Sequence, residues 1–150
     1  MSRPGFHNAR SNGASTLKAS MLLASQTQLL STLETKLNAL TNDLSTLRQT
    51  NKHVHAVVYT QSPTALSTIC SRVRSAGFQV YELSGKTKVT DRHEYIRKFQ
   101  RKETTPKVFV LTIKAGSCGI TLTAATRVYL MEPCIDPAHE LQAAGARRQL

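Results

Sequence analysis

The segment 114–119 of this chain combines residue types that bind phosphate groups. Gly116 and Gly119 stand beside Lys114 and Ser117, directly after a run of apolar and β-branched residues. In a loop of this kind, successive backbone N–H groups can converge on one phosphate oxygen. The segment therefore predicts a phosphate-binding loop. The alternative is that the two glycines only permit a tight turn, which is the more frequent role of an isolated glycine pair.

Three further polar segments follow apolar runs, at residues 60–62, 84–87 and 132–133. The triplet that begins at Gly85 has the letters of an ATP-binding phosphate loop. That motif needs a glycine five positions earlier, where this chain has Val80. No acidic pair follows an apolar run to hold magnesium. The sequence therefore predicts phosphate contact without an independent site for a nucleotide–metal complex.

Histidine and cysteine do not form a second chemical centre. The three cysteines are widely spaced and odd in number, which is typical of a reduced intracellular protein rather than a disulfide scaffold. The histidines after residue 50 lack i,i+4 pairing and a nearby carboxylate–cysteine cluster. We interpret them as surface or partly packed side chains and predict no metal site.

A long helix precedes these segments. Leucines recur at alternating steps of three and four residues, which places them on one stripe of a helix that ends near Asn51; they are Leu30, Leu33, Leu37, Leu40, Leu44 and Leu47. The flanking residues are mostly Ser, Thr, Asn and Gln, so we favour packing onto the helix's own domain over a coiled coil. Residues 1–26 are rich in Ser, Asn, Gly and Ala, and we predict a flexible lead-in there.

Short apolar runs then alternate with helical patterns. Strands are predicted at residues 54–59, 78–83, 108–113 and 127–131, and helices between them begin near Pro63 and Thr90. Asp136 and Pro137 predict the start of a final helix. Such alternation predicts an α/β fold, with a parallel sheet and helices on both faces. Ligands of such sheets bind beyond the carboxyl ends of the strands, where the polar segments lie.

Composition indicates a soluble protein of the cytosol or nucleus with a polyanionic partner. The chain has 150 residues, a net charge of +11 and a pI near 10.1, which fits one domain and favours nucleic acid. No run approaches the ~20 apolar residues of a membrane span. Basic residues outnumber acidic ones between residues 86 and 107 with few aromatic residues among them, so we expect contact with the nucleic-acid backbone rather than with bases.

The order of these motifs resembles the carboxy-terminal helicase lobe of Swi/Snf-type DNA-dependent ATPases. The residues that carry the resemblance are the lead helix at 35–40, a motif IV strand and turn at 57–61, the stretches at 83–85, 91–92 and 96–99, motif V at 111–125, and the approach to motif VI at 132–133 and 136–143. The last stretch is similar to the DNA-repair branch that carries RING fingers. The resemblance implies a RecA-like lobe over residues 27–150.

The resemblance also implies the functional residues. DNA-backbone contacts would come from Thr60, Gln61, Gly85, Thr112, Lys114 and Ser117. Nucleotide bound to a first RecA-like lobe, with ATP and Mg²⁺ in the complete parent, would be contacted by Gly116, Gly119, Gln142 and Gly145. The implied partners are double-stranded or nucleosomal DNA and that first lobe, and the implied location is the nucleus, or the cytosol for a free fragment.

The final residues depart from the family pattern. The family continues with glycine and two arginines, whereas this chain has Ala146 and Gln149 at the arginine positions. An arginine that reaches a transferring phosphoryl group contributes about 10³–10⁵ in rate. We therefore expect no ATP hydrolysis by this chain, even with a partner lobe present. Since the first lobe is also absent, we expect a fragment, a truncated gene model or a decayed copy. The alternative hypothesis is a non-enzymatic module that binds nucleic acid or a partner through the leucine-striped helix.

Overall fold

The computed structural model describes residues 12–51, 53–117 and 119–133. Within them, the helices are α1 (Asn12–Thr50), α2 (Pro63–Ser75), α3 (Val89–Gln100) and α4 (Ile113–Gly116), and the strands are β1 (His55–Thr60), β2 (Gln79–Leu83), β3 (Lys107–Thr112) and β4 (Arg127–Leu130). The predicted strands differ from these by a residue or so at their ends. The single turn α4 was not predicted. The predicted helix at Asp136 lies outside the described residues.

The four strands form one parallel sheet in the order β2-β3-β1-β4. The central strands β1 and β3 are buried along their whole length, because β-branched and aromatic residues on both faces suit a strand covered from both sides. Helix α2 packs against β1, β2 and β3, and α3 packs against β2 and β3. The parallel sheet with flanking helices confirms the predicted fold class.

An aromatic cluster fills the space between α3 and the sheet. Phe99 is fully buried, and its ring meets Phe109 and His55 edge to face with centroids 5.4 Å apart in both pairs. Tyr81 closes the cluster at 6.5 Å from Phe99. Tyr95 and Ile96 pack against this core as predicted. Edge-to-face contacts favour such rings beyond their burial alone, so the cluster fixes α3 on the sheet.

Helix α2 begins and ends where the sequence predicts. The Ser62 side chain accepts a hydrogen bond from the Ala65 N–H at 3.2 Å and caps the first turn. Pro63 follows at the first helical position, where its missing N–H has no intrahelical partner to lose. Gly77 ends the segment with φ +86°, a conformation that disfavours side chains with a Cβ.

Helix α1 extends further toward the amino terminus than the leucine stripe predicts. It begins at Asn12, so residues 12–26 have a helical backbone where a flexible lead-in was predicted. Ala, Leu, Met, Lys and Gln in this stretch are good helix formers, and the Ser- and Gly-rich composition hid them. None of the helices within the described ranges combines the length and hydropathy that a membrane crossing requires.

The chain divides into two compact units, residues 1–36 and 37–150. In the second unit, Leu37, Leu40 and Leu44 are at most 4% exposed, which confirms the predicted packing of this part of the helix. In the first unit, Leu30 is 67% exposed. The predicted stripe is therefore buried at Leu37, Leu40 and Leu44, half-buried at Leu33 and Leu47, and exposed at Leu30.

Lys107 closes the amino-terminal edge of the sheet. It was predicted to belong to a basic patch, but it is only 1% exposed, so this part of the prediction is wrong. Its Nζ donates to the carbonyl oxygens of Lys98 and Arg101 at 2.7 and 3.1 Å and lies 3.0 Å from a carboxylate oxygen of Glu103. These acceptors include carbonyls that the end of α3 leaves unpaired, so Lys107 acts as a helix cap and not as a phosphate ligand.

His55 lies in the same edge and titrates abnormally. Burial lowers its pKa below the ordinary 6.5, against a hydrogen bond with the Arg101 carbonyl, and the charge of Lys107 lowers it further. In the unfolded chain the imidazole of His55 therefore takes up a proton near pH 6.5, whereas in the folded chain it stays neutral. The free energy of unfolding consequently falls as the pH drops below about 7. We expect urea unfolding curves to show this loss in the native chain and a weaker one in His55→Gln. Equal pH dependence in the two proteins would contradict the assignment.

Candidate nucleic-acid interface

The parallel sheet brings the predicted phosphate-binding segments to one edge. Thr60, the last residue of β1, is paired in register with Thr112, the last residue of β3. Leu83 at the end of β2 pairs with Leu111 of β3. Because neighbouring strands lie about 4.8 Å apart, the segments after β1 and β3 leave the sheet side by side. The segments after β2 and β4 flank them.

Glu132 holds the turn after β1. Its Oε1 accepts a hydrogen bond from the Thr60 hydroxyl, and its Oε2 accepts one from the Gln61 backbone N–H, both at 2.9 Å. The Gln61 side-chain amide donates to the carbonyl oxygen of Pro133 at 2.8 Å. Hydrogen bonds to a carboxylate are stronger than those between neutral groups. The turn after β1 is therefore set by the segment after β4.

Thr60 contributes to the turn from inside the protein. The residue is 0% exposed. Its hydroxyl donates to Glu132 and also accepts a hydrogen bond from the Ser62 N–H at 3.2 Å. Both roles of the hydroxyl are thus occupied within the chain, whereas Gln61 is exposed. Of the two residues predicted to contact DNA here, Thr60 is buried and orients the turn, whereas Gln61 lies on its exposed surface.

The segment after β3 folds into the single turn α4. The Thr112 hydroxyl accepts a hydrogen bond from the Ala115 N–H at 3.3 Å, and Thr112 itself is only 5% exposed. Lys114 and Ser117 are exposed, and the Ser117 hydroxyl donates to the Lys114 carbonyl at 2.8 Å. The buried threonine therefore shapes the turn, and the lysine and serine form its outer surface.

The two glycines of this segment are required for different structural reasons. A Cβ at Gly116 would lie 2.8 Å from Cε1 of Tyr59 and 3.1 Å from Cδ1 of Leu111, so the backbone passes too close to the core for any side chain. Gly119 has φ +72° and open space around it, so it serves the conformation of the backbone. The tight-turn interpretation thus applies to Gly119, and Gly116 is a point of close packing.

A single glutamine fixes the chain between α4 and β4. The Gln100 amide donates to the Thr121 carbonyl at 2.9 Å, and its oxygen accepts from the Ala124 N–H at 2.8 Å and from the Thr123 hydroxyl at 3.2 Å. The neighbouring apolar residue Leu122 is fully buried. The described residues of this crossover, 117 and 119–126, form no helix or strand, so Gln100 supplies the hydrogen bonds that regular structure would otherwise provide.

The segment after β2 closes on itself through side chains. The Ser84 N–H donates to the Thr87 hydroxyl at 3.0 Å, and the Ser84 hydroxyl accepts from the Lys86 N–H at 3.3 Å. Gly85 is exposed. The segment borders a cavity of about 530 Å³ whose basic lining residues are Arg74, Lys86 and Lys88. This loop therefore adds positive charge beside the segments after β1 and β3.

Sequence reasoning placed Glu132 in a polar segment but gave it no role in the site. Seventy-two positions separate it from Thr60, and a lone carboxylate after a strand has no spacing signal of its own. Only the parallel pairing of β1 with β4, where Tyr59 is level with Leu130, brings it to the turn. Gln142 and Gly145, predicted to contact nucleotide, lie outside the described residues.

Residues 35–146 match the family model described as the helicase conserved C-terminal domain. The chain belongs to this helicase family. The matched range contains the edge described above, from the turn after β1 to the segment after β4. A helicase C-terminal domain therefore accounts for both the parallel sheet and the polar loops at its carboxyl edge.

Curated relatives of this helicase domain are of the Swi/Snf type. The human "Helicase-like transcription factor" is 38% identical over 112 residues, covering 74% of this chain and 11% of the relative. The Arabidopsis thaliana "Putative SWI/SNF-related matrix-associated actin-dependent regulator of chromatin subfamily A member 3-like 1" is 39% identical over 114 residues, covering 75% and 13%. The "DNA repair protein RAD5" of Debaryomyces hansenii is 30% identical, covering 72% and 10%. The chain thus spans about a tenth of the length of these relatives.

Solved structures show the same lobe. The C-terminal part of the Fun30 ATPase domain superposes with a TM-score of 0.68 at 26% identity, covering 77% of this chain and 37% of that one. Domain 2 of the Mss116p DEAD-box helicase, solved with an RNA duplex, gives a TM-score of 0.66 at 15% identity, covering 79% and 46%; this likeness concerns the fold alone. These comparisons confirm the predicted carboxy-terminal, RecA-like helicase lobe of Swi/Snf-type proteins in the DNA-repair branch.

Proposed function

We propose that this chain is the DNA-gripping lobe of an ATP-driven translocase of the Swi/Snf type. The observation that carries the proposal is the register pair of Thr60 with Thr112. It sets the exposed Gln61 beside the turn that bears Lys114, at the edge where ligands of parallel sheets bind. A chain of net charge +11 suits a phosphate backbone as the partner.

The proposed contacts divide into two kinds. Gln61, Lys114 and Ser117 are exposed and would meet phosphate oxygens of duplex or nucleosomal DNA, with Gly85 offering its backbone on the next loop. Thr60 and Thr112 are buried and would act by holding the turns in place. Contacts of this type carry no base information, so binding should be nearly independent of DNA sequence.

ATP would be bound only together with another lobe, and its hydrolysis would also need arginines at the positions where this chain has Ala146 and Gln149. Gly116, Gly119, Gln142 and Gly145 remain the proposed residues on the nucleotide side, and the first RecA-like lobe of the parent would supply the phosphate loop and the Mg²⁺ site. We expect the chain by itself to be inactive as an ATPase, because transfer of a phosphoryl group needs both sets of groups around one nucleotide. Two of the relatives are named for DNA repair and for the regulation of chromatin, which supports a nuclear role.

The test of the proposal is Lys114→Ala in duplex DNA binding across a salt series. Loss of one phosphate contact should weaken binding about tenfold at low salt and reduce the slope of log K against log salt by about 0.9. Fluorescence anisotropy with a labelled duplex measures both quantities. Lys102→Ala is the matched control, because Lys102 is an exposed lysine beside His53 and His55, near the amino ends of the strands.

Two outcomes would contradict the proposal. One is an unchanged slope for Lys114→Ala, which would remove this lysine from the interface. The other is an equal loss for Lys102→Ala, which would indicate diffuse attraction between a basic protein and DNA rather than binding at the carboxyl edge of the sheet.

A further inference from the structure

The helix of the first compact unit has many large apolar side chains that are exposed to water. Within the described residues 12–36 of α1, the large apolar side chains that are 63–72% exposed are Leu17, Met21, Leu22, Leu23, Leu29 and Leu30. The charged residues of this stretch are Lys18, Glu34 and Lys36. Helices in water depend mostly on the packing of an apolar face. The composition therefore indicates a partner along this stretch.

Four of these side chains lie on one side of the helix. With 3.6 residues per turn, Leu22, Leu23, Leu29 and Leu30 fall within about a third of the helix circumference. Leu17 and Met21 fall on the opposite side. The helix thus has one concentrated leucine face and a much narrower apolar strip behind it.

The four exposed leucines of this face are placed symmetrically along the sequence. Leu22 and Leu23 precede Gln26 by four and three positions, and Leu29 and Leu30 follow it by three and four. A second copy running antiparallel about a two-fold axis at Gln26 would place Leu22 beside Leu29 of that copy and Leu23 beside Leu30. Two-fold interfaces are self-complementary in this way, because each contact occurs twice.

We propose that residues 16–36 form an antiparallel helix pair with a second copy of this chain, centred on Gln26. The eight leucines would bury about 700 Å² of apolar surface, somewhat more than half of the ~1,200 Å² at the lower end of stable interfaces. Small and polar residues between the leucines supply the remainder. The two Gln26 amides meet at the axis and can hydrogen-bond to each other, and a buried polar pair of this kind fixes register.

This self-association is separate from the proposed DNA binding, since the leucine face belongs to the first unit and Gln61 and Lys114 belong to the second. It also explains why α1 continues as a helix so far toward the amino terminus. A heterologous partner would require no symmetry of the leucine positions about one residue. The symmetry is what favours a second copy.

The experiment is light scattering of the complete chain over a concentration series up to about 100 μM. The native chain should be dimeric at the upper end of this range. Leu23→Glu/Leu30→Glu should be monomeric and should keep the near-ultraviolet circular dichroism of the tyrosines, which all belong to the second unit. Leu17→Glu/Met21→Glu is the matched control and should remain dimeric. Glutamate is chosen because it is a good helix former. A monomeric native chain, or equal behaviour of the two double variants, would overturn the proposal.

Cysteine cross-linking tests the antiparallel register in a Cys118→Ser/Cys134→Ser background. Leu22→Cys/Leu29→Cys should form a disulfide-linked dimer, because these positions meet across the axis. Leu22→Cys alone should not, since in the proposed register the two copies of residue 22 are about 12 Å apart along the axis, beyond the reach of a disulfide. A linked dimer from Leu22→Cys alone would show a parallel pair and overturn the proposal. Failure of the double variant to link in a dimeric protein would overturn the register as well.

Discussion

Glu132→Ala is expected to destabilise the second unit by about 3 kcal/mol and to weaken DNA binding more than the loss of any one phosphate contact. The substitution removes the acceptor of the fully buried Thr60 hydroxyl and of the Gln61 N–H. Hydrogen bonds to charged groups contribute about 1.5–3 kcal/mol each, and a buried group left unpaired costs more than the mean. Chemical denaturation gives the stability, and anisotropy at a temperature where the variant is folded gives the affinity.

Two further variants separate the turn from simple loss of charge. Glu132→Gln keeps one carbonyl acceptor. It should lose about half as much stability as Glu132→Ala and should bind DNA more weakly than the native chain. Glu82→Ala removes a partly exposed carboxylate of β2, whose Oε2 lies 4.0 Å from Nη2 of Arg74, and should change stability by less than about 0.5 kcal/mol. If Glu132→Ala and Glu82→Ala behaved alike, the turn after β1 would not depend on Glu132.

Gly116→Ala is expected to destabilise the protein by about 1–3 kcal/mol, because the added Cβ would lie inside the contact distance of both Tyr59 and Leu111. Neither neighbour can swing away, since both are almost fully buried in the aromatic core. Differential scanning calorimetry should show a melting temperature lower by several degrees. Gly116→Val should be worse than Gly116→Ala.

Gly85→Ala is the matched control, because a Cβ at Gly85 meets nothing within 4 Å and its backbone does not require glycine. It should leave the melting temperature within about one degree of the native value. A stable, well-folded Gly116→Ala would show that the close approach to Tyr59 relaxes easily, and only the proposed contact with nucleotide would then account for the glycine.

The sheet was predictable because its signals are local. The runs around Val57 and Val110 are apolar on both faces, and Ser62 with Pro63 marks a helix start in two adjacent residues. Alternation of such runs with helices leaves few topologies. What the sequence could not supply was the strand order, and with it the neighbours of each loop. The predicted loops were correct in position, whereas the partnership of Glu132 with Thr60 depends on which strand lies beside β1.

Residue type misled the prediction where burial reversed the usual role. Lys107 was counted as a phosphate-binding charge, since most lysines are exposed, but three acceptors at the end of α3 hold it inside the protein. For Gly116, the prediction missed a role in packing. Its type suggested either a turn or a phosphate contact, and the structure gives steric exclusion by the core as a third reason that no spacing rule contains.

The glutamine at the end of α3 would have a mechanical role if the chain acts as the proposed lobe of a translocase. An irregular crossover would normally unfold locally when force acts on the neighbouring turn after β3. Here the Gln100 side chain donates one hydrogen bond to that crossover and accepts two from it, which ties it to a helix that is itself anchored by Phe99. Gln100 thus makes the crossover rigid, so a force on the loops after the strands would move the whole lobe instead of unfolding this connection.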